Sequence, residues 1–106
     1  MDDTVMVLVT VGNEEEAVKI AQALVGDHIV ACANIVPQIR SIYFWKGEVC
    51  DDKEVLVIFK TVAARFAALK ERILQLHSYE VPEIISFSIR EGNPAYLRWV
   101  VEETKQ

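Results

Sequence analysis

Basic runs, glycine-rich phosphate loops, clustered cysteines and apolar segments long enough to span a bilayer are all missing from this 106-residue sequence. Each absence removes a class of function. With 11 Lys+Arg against 16 Asp+Glu and a formal net charge of -5, the chain lacks the cationic surface on which phosphate-backbone binding rests. No nucleic-acid partner is expected. Two cysteines, Cys32 and Cys50, are too few for a small disulfide scaffold, so free thiols are expected. The opening Met1-Asp2-Asp3-Thr4 has no positive n-region of a secretory signal, and the apolar stretch behind it is short. The expectation is a soluble, cytoplasmic protein with no membrane partner.

What is present is apolar: 52% of residues are hydrophobic and 25% charged, with only 4 Gly and 3 Pro. That composition excludes intrinsic disorder and supports one core, hence a single domain over 1–106. Val5 to Val11 is a nearly continuous β-branched run, the signature of a strand covered on both faces or central in a sheet. Asn13 with Glu16 three residues later has capping-box spacing, and Glu14 to Glu16 favour a helix N-terminus. Ala17, Ile20, Ala21 and Leu24 recur on one helical face, and Gly26 supplies a stop. From Ile29 the chain reads as extended. Ile39, Ser41, Tyr43 and Trp45 share one face, Lys46-Gly47-Glu48 marks a turn, and Val49 to Lys60 returns as the partner strand. Thr61 is positioned to cap a second helix carrying Phe66, Leu69, Ile73 and Leu76, ending near His77. Ile84 to Ile89 is a fourth strand, and Gly92-Asn93-Pro94 opens a terminal helix. The order is βαββαβ plus a tail helix, which is the α+β ferredoxin-like sandwich with helices on one sheet face.

The stretch from Ile29 to Trp45 would extend about 56 Å at roughly 3.3 Å per residue if unbroken. A compact domain of this length is only about 34 Å across. Pro37 must therefore bend or bulge the strand, and the hairpin must project. Its tip residues, Ile42, Tyr43, Phe44 and Trp45, then expose apolar surface that self-association would cover, so an oligomer is expected.

Few residues suggest chemistry. Cys32 lies in an apolar run, where cysteine is most often a small hydrophobe; a soft-metal site would recruit it with His77 or His28. No C-x-x-C or H-x-x-x-H spacing supports such a site. His77 at a helix end is also accounted for by the helix dipole. Cys50, just after the turn, is expected to be exposed. Glu54, Lys60 and Glu83 border strands and loops, where solvation is the ordinary role. Trp45 and Trp99 read as packing or interface anchors. No nucleophile motif is present, so no enzyme is expected. The first loop, Thr10-Val11-Gly12-Asn13, also lacks the cysteines of a metallochaperone and the arginine of an acylphosphatase-like anion loop.

Five blocks in order carry a resemblance: ACANIVP (31–37), SIYFWKGEV (41–49), EVLVIFKT (54–61), HSYEVPEI (77–84) and Tyr96-Leu97-Arg98-Trp99. Together they cover nearly the whole chain, and the sequence resembles the CutA divalent-cation tolerance family. The resemblance implies a ferredoxin-like protomer in a homotrimer similar to the PII signalling proteins, with Tyr43, Trp45 and Trp99 at the trimer interface. It implies copper or another divalent metal as ligand, with Cys32 and His77 as the matching metal positions. Polar residues near subunit clefts map onto Glu54, Lys60, Tyr79 and Glu83, which leaves a second function open: a PII-like sensor or scaffold binding a small molecule or partner protein. Ser78 stands where the family often has proline, which implies a less restrained loop after His77.

Overall fold

The computed structural model describes residues 3–105; Met1, Asp2 and Gln106, and with them the ends of the expected domain and the first residues of the expected non-signal terminus, lie outside the described residues. The elements are β1 (Thr4–Val11), α1 (Glu14–Gly26), β2 (Cys32–Trp45), β3 (Glu48–Val62), α2 (Phe66–Leu76), β4 (Ile84–Ser88) and α3 (Pro94–Glu103), with one 3-10 turn at Ala63–Arg65 before α2. The four strands form one sheet in the order β2-β3-β1-β4, antiparallel at every neighbour. This is the ferredoxin-like arrangement.

Alternation along β1 decides which face is covered. Val5, Val7, Val9 and Val11 point to one side and join Phe59, Ile20, Leu24, Leu69 and Ile73 in the buried core beneath α1 and α2. The other side carries Met6 and Leu8, and the strand registers extend it into rows: Cys32–Lys60–Met6–Phe87 and Asn34–Ile58–Leu8–Ile85. Only α3 reaches that second face, where Tyr96 Oη lies 3.9 Å from Cys32 Sγ. Phe87 and Ile85 stay exposed. The expected covering of both faces of β1 is therefore met on one side, and the expected confinement of helices to one face is not.

Local signals account for the element ends. Asn13 Oδ1 accepts from the Glu16 amide at 2.8 Å, as the capping spacing requires. Helix α1 ends at Gly26, yet the left-handed residue is His28, at φ +57°. The amides of Ile29 and Val30 return to the Leu24 carbonyl, at 3.0 and 3.4 Å, so strand β2 begins at Cys32 rather than at Ile29. Across β2 and β3 the register shifts between Val36 and Ile39, placing the irregularity at Pro37 and Gln38; proline cannot donate to the ladder there. Lys46 and Gly47, both at positive φ, close the two-residue turn. The hairpin draws the chain out to 44 × 25 × 22 Å.

Thr61 does not cap α2. It lies fully buried inside β3, and its hydroxyl donates to the Ile29 carbonyl at 2.7 Å. Helix α2 starts without any side-chain cap, preceded by the 3-10 turn. Asn93 behaves as expected: its Oδ1 accepts from the Ala95 amide at 3.1 Å, with Pro94 in the first turn.

Candidate functional site

The β2–β3 hairpin leaves the sheet where β1 ends, and the segment after α2 folds back against its root. Between them lies an open groove of about 700 Å³, walled by Thr10, Ser41, Tyr43, Trp45, Glu54, Tyr79 and Glu83 among others. Alternation explains the membership, since Ser41, Tyr43 and Trp45 are the hairpin face read from the sequence. Glu54 is only 9% exposed and accepts from Tyr79 Oη at 2.7 Å. The Tyr79 ring lies over Gly12, where an added Cβ would sit 3.4 Å from the phenol oxygen. Burial first, and then the hydrogen bond to Glu54, push the Tyr79 phenol well above its ordinary range. Tyr43 donates to Asp52 on the same hairpin face, which raises its pKa to about 12. Three of the four expected cleft residues, Glu54, Tyr79 and Glu83, thus meet in one place with two of the expected interface aromatics.

His77 anchors the loop beneath this groove. Its ring is fully buried; Nε2–H donates to the Thr10 carbonyl at 2.7 Å and Nδ1 accepts from the Tyr79 amide at 3.0 Å. These two bonds fix the Nε2–H tautomer and occupy both nitrogens. Glu16 Oε2 stands 3.6 Å from Nδ1, but that nitrogen's lone pair already receives the amide, so the contact is not an ion pair in the neutral ring. Instead the Glu16 carboxylate accepts from Ser78 N at 2.9 Å and Ser78 Oγ at 2.8 Å. Ser78 therefore restrains the loop through Glu16, where a proline would have restrained it through φ. The His77 and Tyr79 rings are 4.7 Å apart, tilted by 50°.

Cys32 and Lys60 form a separate cluster. They are paired across β2 and β3; Lys60 Nζ approaches Cys32 Sγ at 3.6 Å and also donates to Asn34 Oδ1. Lys60 is thereby separated from Glu54, Tyr79 and Glu83. Met6, opposite Lys60, is four residues from Thr10 along β1, roughly 13 Å, so Cys32 and His77 do not share a site within one chain. Among the described residues no three His, Cys, Asp or Glu side chains converge as a metal shell. With His77 committed and the Lys60 ammonium beside the thiol, these residues do not build a resident metal centre within the chain. His28 is also distant in role: its Nδ1 contacts the Glu103 carbonyl at 2.9 Å. Cys50 is half-buried opposite Tyr43, not exposed. Trp99 is 41% exposed beside Tyr96, with ring centroids 5.6 Å apart.

Sequence reasoning missed Glu16, Asp52 and Tyr96. Glu16 carried a signal, the capping box, but its carboxylate serves a loop 62 residues away. Asp52 was reachable through the hairpin register, as the diagonal neighbour of Tyr43.

Comparison with known proteins gives one answer. The pattern of the CutA1 divalent ion tolerance protein family matches residues 5–103. The Divalent-cation tolerance protein CutA of Thermus thermophilus is 52% identical over 99 residues, 93% of this chain and 96% of its own length. Its solved structure superimposes with a TM-score of 0.94 at 50% identity, covering 96% of this chain and 99% of that one. Protein CutA of Mus musculus is 45% identical over 92% of this chain, which spans 55% of that longer relative. A structure named the periplasmic divalent cation tolerance protein CutA of Archaeoglobus fulgidus has a TM-score of 0.93 at 30% identity, covering 96% of this chain and 99% of that one.

Proposed function

The chain belongs to the CutA1 divalent ion tolerance protein family, and from that premise we propose that it acts in divalent-cation tolerance as a non-enzymatic homotrimer in the cytoplasm. The observation that carries the role is the family match over residues 5–103. The trimer is supported by apolar surface that a lone chain leaves in water: Ile42 at 66%, Phe44 at 69% and Val49 at 70% exposed on the hairpin, with Ile85 and Phe87 on the open sheet face. Tyr43, Trp45 and Trp99 are the aromatic anchors of the same interface. No helix among the described residues is long and apolar enough to cross a membrane.

Copper or another divalent metal enters this reading as cargo met at Cys32, the soft donor on the open sheet face, and not as a resident cofactor. Calorimetric titration of the reduced protein with copper tests it. Binding is expected to be lost in Cys32→Ser and kept in His77→Ala, whose imidazole holds Thr10 and Tyr79. Equal binding by Cys32→Ser and the unaltered protein would remove Cys32 from the account.

The groove favours a second reading, a PII-like sensor or scaffold, because its volume and its few convergent polar groups are those of a small-molecule site.

A further inference from the structure

We propose that the groove at the hairpin root binds an organic cation, a ligand presenting an alkylammonium or alkylguanidinium group to Glu54 between the aromatic faces of Tyr43 and Trp45. The inference rests on the second reading above, that the groove is a ligand site, and adds the chemistry of what enters it.

Glu54 poses the electrostatic problem. Its residue is nine-tenths buried, and a buried carboxylate is costly unless a counter-charge and hydrogen bonds compensate it. Tyr79 supplies one neutral hydrogen bond, to Oε2. Oε1 has no hydrogen-bond partner, and the carboxylate no ion pair, among the described residues. The one cation in the groove wall, Arg40, is already spoken for: its Nε and Nη2 donate to Asp51 at 2.9 and 2.7 Å. Glu80 and Glu83 add negative charge to the same wall. A positive ligand is what this site lacks.

Its walls favour an organic cation over a metal ion. Inner-sphere metal binding needs several donors converging on one point, and among the described residues no such group of three exists. An ammonium or guanidinium needs only a carboxylate and an aromatic face within about 6 Å of the charge, and guanidinium matches a carboxylate with a two-bond fork. Every named group belongs to one chain, so the site's donors do not depend on the oligomer.

Isothermal titration of the full chain with n-butylguanidinium and n-butylammonium, against n-butanol and n-butyrate as matched neutral and anionic probes, tests the proposal. Binding by the two cations alone is expected, with Trp45-dependent fluorescence changes. Glu54→Gln, which keeps an acceptor for Tyr79, is expected to weaken it about tenfold, the loss of one charge-assisted contact. Should that variant fail to fold, Glu83→Gln decides: a loss of about twofold to threefold supports the site, and unchanged affinity overturns it. Equal binding of n-butanol, or cation binding indifferent to Glu54→Gln, also overturns the proposal. If n-butyrate binds instead, the cation inference falls while the groove remains a ligand site. If zinc or copper binds in a Glu54-dependent way and neither organic cation does, the metal takes its place. If no probe binds at millimolar concentration, the inference and the reading beneath it both fall.

Discussion

Individual side chains here have roles set by their neighbours more than by their type. His77 shows this most clearly: the residue type suggests a ligand, but both nitrogens are engaged with main-chain groups from β1 and the following loop. Nothing in the sequence near His77 names Thr10, because that contact spans 67 residues. The tyrosines give the residue-scale prediction. Tyr43, Tyr79 and Tyr96 all have raised folded pKa values; Asp52 is the leading cause at Tyr43, and burial leads at Tyr79 and Tyr96. In each the folded state holds its proton to higher pH than the unfolded chain does, so folding binds protons above the ordinary phenol pKa of about 10. The stability these groups contribute is fully present below that pH and declines as pH rises toward about 12, the value for Tyr43. Tyrosinate absorbance in the folded protein should therefore lag that of the denatured chain, and chemical-denaturation stability should fall across this alkaline window. Coincident titration curves for folded and denatured chains would contradict it.

At the level of elements, the sequence was most legible where periodicity or a cap decides locally. The β1 alternation, the Asn13 and Asn93 caps, the Lys46-Gly47 turn and the bulge at Pro37 all follow from such signals. It was least legible where a tertiary partner decides. Thr61 has the composition of a helix cap, but β3 runs on through it because the buried Ile29 carbonyl needs a donor. Thr61→Val, close in shape and without the hydroxyl, should cost about 1–2 kcal/mol in denaturant unfolding by leaving that carbonyl unsatisfied. A cost near zero would return Thr61 to a role at the helix start. The candidate site divides the same way: the hairpin face of Ser41, Tyr43 and Trp45 was readable from alternation, whereas the separation of Lys60 from Glu54 depends on how far apart they lie along β3. Those two are six residues apart on one strand, roughly 20 Å.

The whole molecule turns on a mismatch between its surface and a solitary life in water. The strand-length argument anticipated a projecting hairpin, and the 44 Å long axis shows one. What composition could not show is that the second sheet face is also left largely open, with Met6, Leu8, Leu56 and Ile58 only half-covered. An apolar sheet face and an aromatic hairpin on one small chain together offer more surface than a stable interface needs, and copies of the same chain can cover both at once. Sedimentation equilibrium at micromolar concentration tests this most directly. The account predicts a species of three times the 12.0 kDa chain mass, reduced toward the single chain when Phe44 and Phe87 are replaced by charged residues. A native protein that sediments at 12.0 kDa would contradict it.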